Sequence, residues 1–386
     1  MYRMKDKEGK AMKQSITDVI RLLALLFILV GVTVYAENNV LESNLTYYVA
    51  ADENGVQQVF QLLLEGEPDA RQLTHAEHDV ITFGVAYDAL GIVYISDGQL
   101  WLQPIHTEEA EALATLSATQ FYSSPIFSQD GNYVAYEDNG VWLVDLANRQ
   151  TRQILANVPL AEMASNANEF RIYQPDSFVI DATGAVTHLI VDIGVWEWKT
   201  AGVYDLATDT LIELDGKLHT SVLALSDGRA LVYGNNGADG EGSLYLADRL
   251  DAINTATPIV YFHELTEGVL FAEQAIEIET AIVRVFGIAL TFDPNQTIAP
   301  YFYFDYDLNT GTAGEVQIIK LATQEENGYT VAGDLSSNGN VVPFYWNAQY
   351  TDAGSIIGEF RLVNLLMGDD IATTFPDVVG VFHLQP

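Results

Sequence analysis

Histidine is the side chain best suited to metal binding or acid–base chemistry, and this sequence contains seven. Only His75 and His78 are close together, and Glu77 and Asp79 add two carboxylates beside them. Such groups bind transition metals, but a three-residue spacing brings two ligands together only on a helix. We therefore interpret this stretch as a polar loop, with a metal site as the alternative. The other histidines are His106, His188, His219, His263 and His383.

A glycine-rich acidic stretch, residues 235–242, is a second candidate for ion binding. Its sequence is Asn-Asn-Gly-Ala-Asp-Gly-Glu-Gly. Ca²⁺ takes six to eight oxygen ligands, which this stretch could supply, but the spacing does not match an EF-hand. Gly, Asn and Asp also form turns, so we favour a solvated hairpin. We expect no cofactor, with Ca²⁺ bound at this stretch as the alternative.

Residues for hydrolytic chemistry are harder to find. No Gly-x-Ser-x-Gly nucleophile elbow occurs, which argues against a serine hydrolase. The two carboxylates of a glycosidase would come from distant parts of the chain, so sequence spacing cannot identify them. Trp196 and Trp198 alternate and share one face, which we interpret as core packing, with stacking on a sugar as the alternative. We therefore assign no catalytic residue and no metal ligand, and the ligand-binding residues stay unknown.

A sequence pattern that recurs along the chain defines the strands that must position any functional site. Residues 127–155 form four short apolar strands separated by turns, the first of them Asp130-Gly131. Looser copies recur at intervals of about 40 to 55 residues, which is typical of propeller blades. The sequence predicts an all-β propeller of about seven four-stranded blades. Six blades are the alternative, because residues 267–321 are poorly patterned.

The turns of these units have their own signature. We expect glycine to close the first hairpin of five units, and a turn without glycine near 279–281 in another. We expect the acidic residues that end three third strands to cap the following turn, which argues against a role as ligands. The predicted glycines are Gly91, Gly131, Gly184, Gly228 and Gly339. The predicted capping residues are Asp145, Asp205 and Asp307.

The two ends of the propeller are predicted to meet. Residues 46–74 have the pattern of a second, third and fourth strand with no first strand, and residues 378–384 form a lone apolar strand. If the last strand completes the first blade, two sheet edges are covered at once. We predict that this pairing closes the ring.

The blade at 127–155 resembles the TolB-type, WD40-like propeller repeat, in which a Ser-Pro-Asp-Gly turn and a terminal Gln-Leu-Thr strand recur. The matching residues are Ser124-Pro125 with 128–131, Ser226-Asp227-Gly228, and Arg71-Gln72-Leu73-Thr74. The resemblance is clear over roughly residues 46 to 156 and 219 to 247. It implies a fold and no particular activity. Some propeller lyases use channel histidines, and His219 and His263 could face a central pocket, but no lyase motif is matched.

The first 36 residues differ from the rest. A basic segment precedes a short apolar run, 22–35, and Ala36 suits signal-peptide cleavage, so we predict a signal peptide over 1–36 and one propeller domain over 37–386. An uncleaved N-terminal anchor is the alternative. The chain has no cysteine, so disulfides contribute nothing to the fold.

The predicted mature chain is strongly acidic. It keeps 11 Lys and Arg against 50 Asp and Glu, a formal charge of about −39. Such a charge favours solubility and repels nucleic acid and anionic membranes. We expect a monomeric, extracytoplasmic scaffold, secreted, periplasmic or on the cell surface, that binds a protein or cell-surface glycan without inserting into the membrane. A polysaccharide lyase or glycoside hydrolase with acidic or histidine residues at the channel is the alternative.

Overall fold

The computed structural model describes most of residues 46–384. The described ranges are 46–63, 69–88, 90–117, 123–158, 170–195, 198–215, 220–235, 242–266, 268–290, 301–319, 329–336, 338–350, 356–366, 369–373 and 378–384. The predicted leader, 1–36, and the loop 236–241 lie outside them. Among the described residues, no helix is long and apolar enough to cross a membrane.

The described strands form a seven-bladed propeller of antiparallel sheets, which confirms the predicted fold and favours seven blades over six. The strands of the first four blades are β1 (Thr46–Ala51), β2 (Gln57–Leu63) and β3 (Asp69–Gln72) in blade 1; β4 (Val80–Val85), β5 (Gly91–Ser96), β6 (Gln99–Pro104) and β7 (Glu111–Thr115) in blade 2; β8 (Ile126–Phe127), β9 (Tyr133–Glu137), β10 (Gly140–Asp145) and β11 (Gln150–Ala156) in blade 3; and β12 (Ile172–Ile180), β13 (Val186–Val195), β14 (Trp198–Asp205) and β15 (Thr210–Glu213) in blade 4.

The remaining strands continue the same arrangement, and the fourth strand of blade 6 is split in two. They are β16 (Thr220–Ala224), β17 (Ala230–Asn235), β18 (Gly242–Ala247) and β19 (Thr257–Tyr261) in blade 5; β20 (Val269–Glu279), β21 (Ile282–Leu290), β22 (Tyr301–Asp307), β23 (Thr312–Ala313) and β24 (Gln317–Ile319) in blade 6; and β25 (Tyr329–Ala332), β26 (Val341–Tyr350), β27 (Ile356–Asn364) and β28 (Asp369–Thr373) in blade 7, followed by β29 (Val378–Leu384). Two 3-10 helices flank β19, Leu250–Thr255 and Phe262–Glu264.

The last strand pairs with the first. Strand β29 lies antiparallel to β1, with Tyr48 opposite Phe382, and it is the first strand of blade 1 in space. It also pairs with β27 at Ile357 and Gly358, so blades 1 and 7 share one continuous sheet. The predicted pairing is therefore present, and its contribution to ring stability stays a prediction.

The core lies between the blades. The interface of blades 4 and 5, for example, buries Val203, Val222 and Val232 almost completely. Comparable clusters fill the interfaces of blades 1 and 2, 2 and 3, 3 and 4, 5 and 6, and 6 and 7. Each sheet buries both faces only against its neighbours, which is why the repeat is the unit of this fold.

Four of the five predicted turn glycines have positive φ: Gly131, Gly184, Gly228 and Gly339. The turn without glycine is also present, with Ala281 at φ +64°. The prediction for Gly91 is wrong, because this residue begins β5. Its carbonyl accepts the N–H of Ala86 at 2.8 Å, and Gly91 is not among the glycines with positive φ.

The predicted caps after three third strands are confirmed. Asp145 accepts both the N–H and the side-chain amide of Asn148. Asp205 accepts the N–H groups of Ala207 and Thr208, and Asp307 does the same for the two residues at its own turn. These hydrogen bonds lower the pKa of all three aspartates. The carboxylates of these three aspartates therefore accept hydrogen bonds within their own turns.

Candidate functional site

The first strand of each blade lies nearest the propeller axis. Strand β4 contacts both β29 and β8, β8 contacts β12, and β16 contacts β20, so first strands of neighbouring blades meet one another. A ring of first strands encloses the central channel of a propeller. Exposed side chains on these strands therefore face the channel.

β-Bulges interrupt several of these first strands, and in β4, β12 and β20 one of them leaves a single exposed residue unpaired. In β12 the pairing jumps from Pro175 to Ser177, in β20 from Ala272 to Gln274, and in β4 from Val80 to Thr82. A bulge re-aims the side chain of its extra residue. The three extra residues are Ile81, Asp176 and Glu273, and all three are exposed although their strands are innermost.

Next to the bulge of blade 4 lies an ion pair. Lys199 Nζ contacts Asp192 Oδ2 at 2.6 Å, and the two residues come from the adjacent strands β14 and β13. The Lys199 side chain is half exposed, whereas that of Asp192 is mostly buried. The charge and hydrogen bond of Asp192 outweigh the desolvation of Lys199 and raise its pKa. The ion pair thus lies on the two strands next to the bulge that carries Asp176.

Groups from other blades converge on this point. The charge of Asp334, which follows β25 in blade 7, acts on both Asp176 and Lys199 in blade 4. Tyr87 of blade 2 and Tyr233 of blade 5 also lie within electrostatic range of Asp176. Only the central channel brings these four blades together.

Desolvation changes the pKa of two carboxyl groups in the channel. Desolvation, together with the charge of Asp192, raises the pKa of Asp176 to about 7. Lys199 opposes the shift and Asp334 adds to it. Desolvation likewise raises the pKa of Glu273, with Lys199 again opposing. The channel therefore holds a carboxyl group that titrates near neutral pH.

A second concave region lies at the rim between blades 3 and 4. It is a cleft of about 600 Å³. Arg152 at its edge is paired with Asp209 at 2.7 Å, and Asp145 and Asp205 cap their turns. His188 Nδ1 lies 2.9 Å from Thr187 Oγ1. Because these polar groups are already paired within the protein, we place the candidate site in the channel.

The residues that the sequence singled out are spread around the molecule. His75 and His78 are exposed in the loop between β3 and β4, with His75 Nδ1 at 3.1 Å from Gln72 Nε2 and His78 Nε2 at 3.8 Å from Asp97. His106 is exposed, and His263 is exposed and stacks on Tyr261 at 5.7 Å. Within the described ranges, no group of three or more His, Asp or Glu is arranged to hold a metal.

The other candidates cannot be placed. His219 and Trp196 lie outside the described residues, as do positions 236–241 of the glycine-rich acidic stretch. The side chains of Trp198 and His383 are likewise outside the description, although their backbones belong to β14 and β29. The solvated hairpin and the core packing of the tryptophans stay predictions, as do ion and sugar binding, their alternatives.

Sequence reasoning missed the residues that the channel brings together, of which Asp176, Asp192 and Lys199 are the centre. One signal was present for Asp176. Proline cannot donate to a sheet ladder and is confined to edges and bulges, so Pro175 inside β12 marks an innermost edge strand with an irregularity. The acidic residue beside it was a channel candidate. No comparable signal marks Glu273.

Comparison with known proteins gives the fold. No protein-family model and no curated protein matches the sequence. TolB from Acinetobacter baumannii matches with 13% identity and a TM-score of 0.44 over 87% of this chain and 65% of its own. An oligogalacturonate lyase from Vibrio parahaemolyticus matches with 12% identity and a TM-score of 0.49 over 85% of this chain and 84% of its own.

A prolyl endopeptidase structure matches with 12% identity and a TM-score of 0.52 over 89% of this chain and 51% of its own. This chain thus spans about half of the peptidase and 65% of the TolB chain. At such identities the likeness is one of fold alone. The chain is a seven-bladed β-propeller, and its resemblance to TolB-type repeats is confirmed at that level.

Proposed function

We propose that the protein is an exported, acidic propeller that binds a protein or glycan partner at its channel and does not transform it. The observation that carries the proposal is the electrostatic coupling of Asp176, Asp192, Lys199 and Asp334 with two tyrosines, a set that comes from four blades. Side chains presented by a rigid scaffold are typical of binding sites.

The chemistry of the channel favours a partner with hydrogen-bonding or cationic groups. Three carboxylic acids and one ammonium group present both acceptors and donors, and the −36 charge of the whole chain attracts cations over longer distances. Among proteins, a partner with a basic segment fits this field best. Among glycans, a neutral polysaccharide fits better than a polyanion.

Binding can be tested on the purified protein, produced with its own N-terminal segment. The probes are a tetralysine peptide, a tetraglutamate peptide and neutral cell-wall oligosaccharides, measured by calorimetry at pH 8. We expect tetralysine or a neutral oligosaccharide to bind, and Asp192→Asn to weaken that binding at least several-fold. Equal binding of both peptides, or an unchanged Asp192→Asn variant, would contradict the proposal.

A second function is favoured by one specific observation. Asp176 and Asp192 lie on adjacent strands in different environments: desolvation raises the pKa of Asp176 to about 7, whereas Asp192 is paired with Lys199. Two carboxyl groups in different protonation states are what acid-assisted cleavage of a glycosidic bond requires. Release of reducing ends from a polysaccharide, lost in both Asp176→Asn and Asp192→Asn, would establish the enzyme and replace the scaffold.

A further inference from the structure

We propose that the cleft at the rim between blades 3 and 4 is a second binding site, which takes a neutral sugar. Its volume of about 600 Å³ lies within the range of small-molecule pockets, roughly 300 to 1,000 Å³. The residues that line it belong to β9, β10 and β11 of blade 3 and to β13, β14 and the following turn of blade 4, and none belongs to a described first strand. The cleft is therefore separate from the channel, and the inference does not rest on the function proposed there.

The blade 3 side of the cleft carries a row of polar side chains. Asp145 of β10 lies opposite Tyr133 of β9 and opposite Gln150 of β11. Such cross-strand neighbours lie on one face of the sheet, and three adjacent strands span about 10 Å. Among the described residues, neither the Tyr133 hydroxyl nor the Gln150 amide group has a hydrogen-bond partner. This side of the cleft therefore offers a hydroxyl, a carboxylate and an amide in line.

Asp145 keeps part of its capacity to accept hydrogen bonds. Each of its two oxygens accepts one from Asn148, at 2.9 and 2.8 Å. A carboxylate has about four lone-pair positions, so two remain for a ligand. In the described part of the chain, no Lys or Arg forms an ion pair with Asp145, and the nearby Arg149 and Arg152 are paired with other acids.

Apolar side chains form another part of the lining. Leu143 lies two residues before Asp145 on β10 and so on the same face, and Val186 and Leu206 approach from blade 4. All three pack in the core cluster between blades 3 and 4, yet Val186 and Leu206 stay partly exposed. Covering this surface with the C–H groups of a ligand is favourable.

The charges at the edge of the cleft disfavour an anion. Arg152 belongs to the lining, but its Nη1 contacts Asp209 Oδ1 at 2.7 Å, and the Tyr204 hydroxyl donates to the same oxygen at 2.9 Å. The guanidinium is thus neutralised within the protein. Asp145 and the −36 charge of the whole chain would repel a carboxylate or a phosphate.

The connection after the third strand explains why the cleft is open. In blade 5 this connection contains the 3-10 helix Leu250–Thr255, and it buries Leu250 and Ile253 in the interface with blade 4. In blade 4 the connection is only the short turn 206–209, between β14 and β15. The chain therefore covers one interface with its own apolar side chains and leaves the neighbouring one accessible to a ligand.

A neutral sugar matches this combination of groups. A pyranose presents hydroxyl groups at the edge of its ring and C–H groups on its faces. Its hydroxyls can donate to Asp145 and Gln150 and accept from Tyr133, while its C–H groups cover the apolar part of the lining. An acidic sugar adds a charge that the cleft opposes. An amino sugar adds an ammonium group, for which the row supplies one carboxylate that already accepts two hydrogen bonds.

The test is saturation-transfer NMR on the full-length protein at pH 7. The neutral probes are the methyl glycosides of glucose, galactose and mannose, and glucuronate and glucosamine are the charged ones. We expect at least one neutral glycoside to bind more tightly than either charged sugar. Tyr133→Phe and Gln150→Ala should each weaken its binding about three-fold or more, because each removes a hydrogen-bonding group. Ala207→Trp, at an exposed position of the lining, should abolish binding by filling the cleft.

The matched control is Thr210→Ala. Thr210 lies opposite Asp205 in blade 4 as Gln150 lies opposite Asp145 in blade 3, but it does not line the cleft, so its loss should leave binding unchanged. Equal losses in Thr210→Ala and Gln150→Ala would overturn the site, as would tighter binding of a charged sugar or no binding of any neutral glycoside.

The channel variant Asp192→Asn separates this inference from the proposed function. It should leave binding in the cleft unchanged. If Asp192→Asn loses the neutral glycoside while Ala207→Trp keeps it, the sugar binds in the channel, which overturns the cleft site and supports the proposed function. If Ala207→Trp loses the glycoside and Asp192→Asn keeps it, the cleft site stands whether or not the channel binds a partner.

Discussion

Arg284 and Asp305 face each other across β21 and β22 and form two parallel hydrogen bonds, Nε to Oδ1 at 2.7 Å and Nη2 to Oδ2 at 2.8 Å. The same guanidinium donates from Nη1 to the carbonyl of Gly339 and to Asn340 Oδ1 in blade 7, and it lies 5.2 Å from the ring centre of Tyr303. One side chain thus joins blades 6 and 7, and it is 4% exposed.

Replacing Arg284 with Met keeps much of the volume and removes all four hydrogen bonds. We expect a loss of about 3 kcal/mol in the free energy of unfolding, because removing the buried guanidinium leaves the Gly339 carbonyl and the other acceptors without their donor. Urea unfolding measures this as a lower midpoint. The matched control is Arg249→Met, whose pair with Asp251 is exposed at the surface. Equal midpoints for the two variants would show that Arg284 does not hold the blades together.

Gly131 tests the hairpin that defines the repeat. Its φ is +69°, and no atom lies within 4 Å of where a Cβ would be, so backbone strain alone limits substitution. We expect Gly131→Val to lower the urea midpoint by the equivalent of about 2 kcal/mol, because a β-branched residue is unfavourable at positive φ. Gly131→Asn is the control and should cost less, since asparagine tolerates this region. A neutral valine variant would mean that the turn is misassigned.

The sequence predicted the fold well because blades depend on local signals. A glycine that must adopt positive φ and an aspartate that caps a turn are each recognised from the few residues around them, and Gly184 and Asp205 were both predicted correctly. The channel was not predictable in the same way. Asp176 and Asp334 are more than 150 residues apart and come together only when the ring closes.

A bulge adds to that difficulty because it changes the face on which a side chain lies. Strict alternation along β12 would place Gln174, Asp176 and Phe178 on one face of the sheet. The bulge at Asp176 breaks this alternation, and the two-residue period of the sequence does not indicate where it does so. Gly91 lies at the start of β5, beyond the bend of the turn, so its spacing from Asp88 did not indicate a positive φ.

Ring closure can be tested by shortening the chain. Removing residues 378–386 deletes β29 and exposes the edge of β1 along its whole length. We expect a large drop in melting temperature and loss of a single cooperative transition, rather than fraying of one blade. Removing only residues 385–386 is the control, since it leaves β29 intact. An unchanged melting temperature after the larger deletion would refute closure by this strand.

The pH dependence of stability gives a separate measure of Asp176. The native pKa is about 7, whereas an unfolded aspartate titrates near 3.9, so between these values the native state holds a proton that the unfolded state has lost. The contribution of Asp176 to stability is therefore greatest at low pH and declines as pH rises from about 4 to about 7. Asparagine does not titrate. The free energy of unfolding of Asp176→Asn should therefore rise relative to that of the parent over this interval, and the difference should be constant at higher pH. Urea unfolding at pH 5, 6, 7 and 8 follows the difference between the two proteins, with Asp248→Asn as the control. A difference that stays flat from pH 5 to 8 would place the carboxyl of Asp176 in a water-like environment and not in a confined channel.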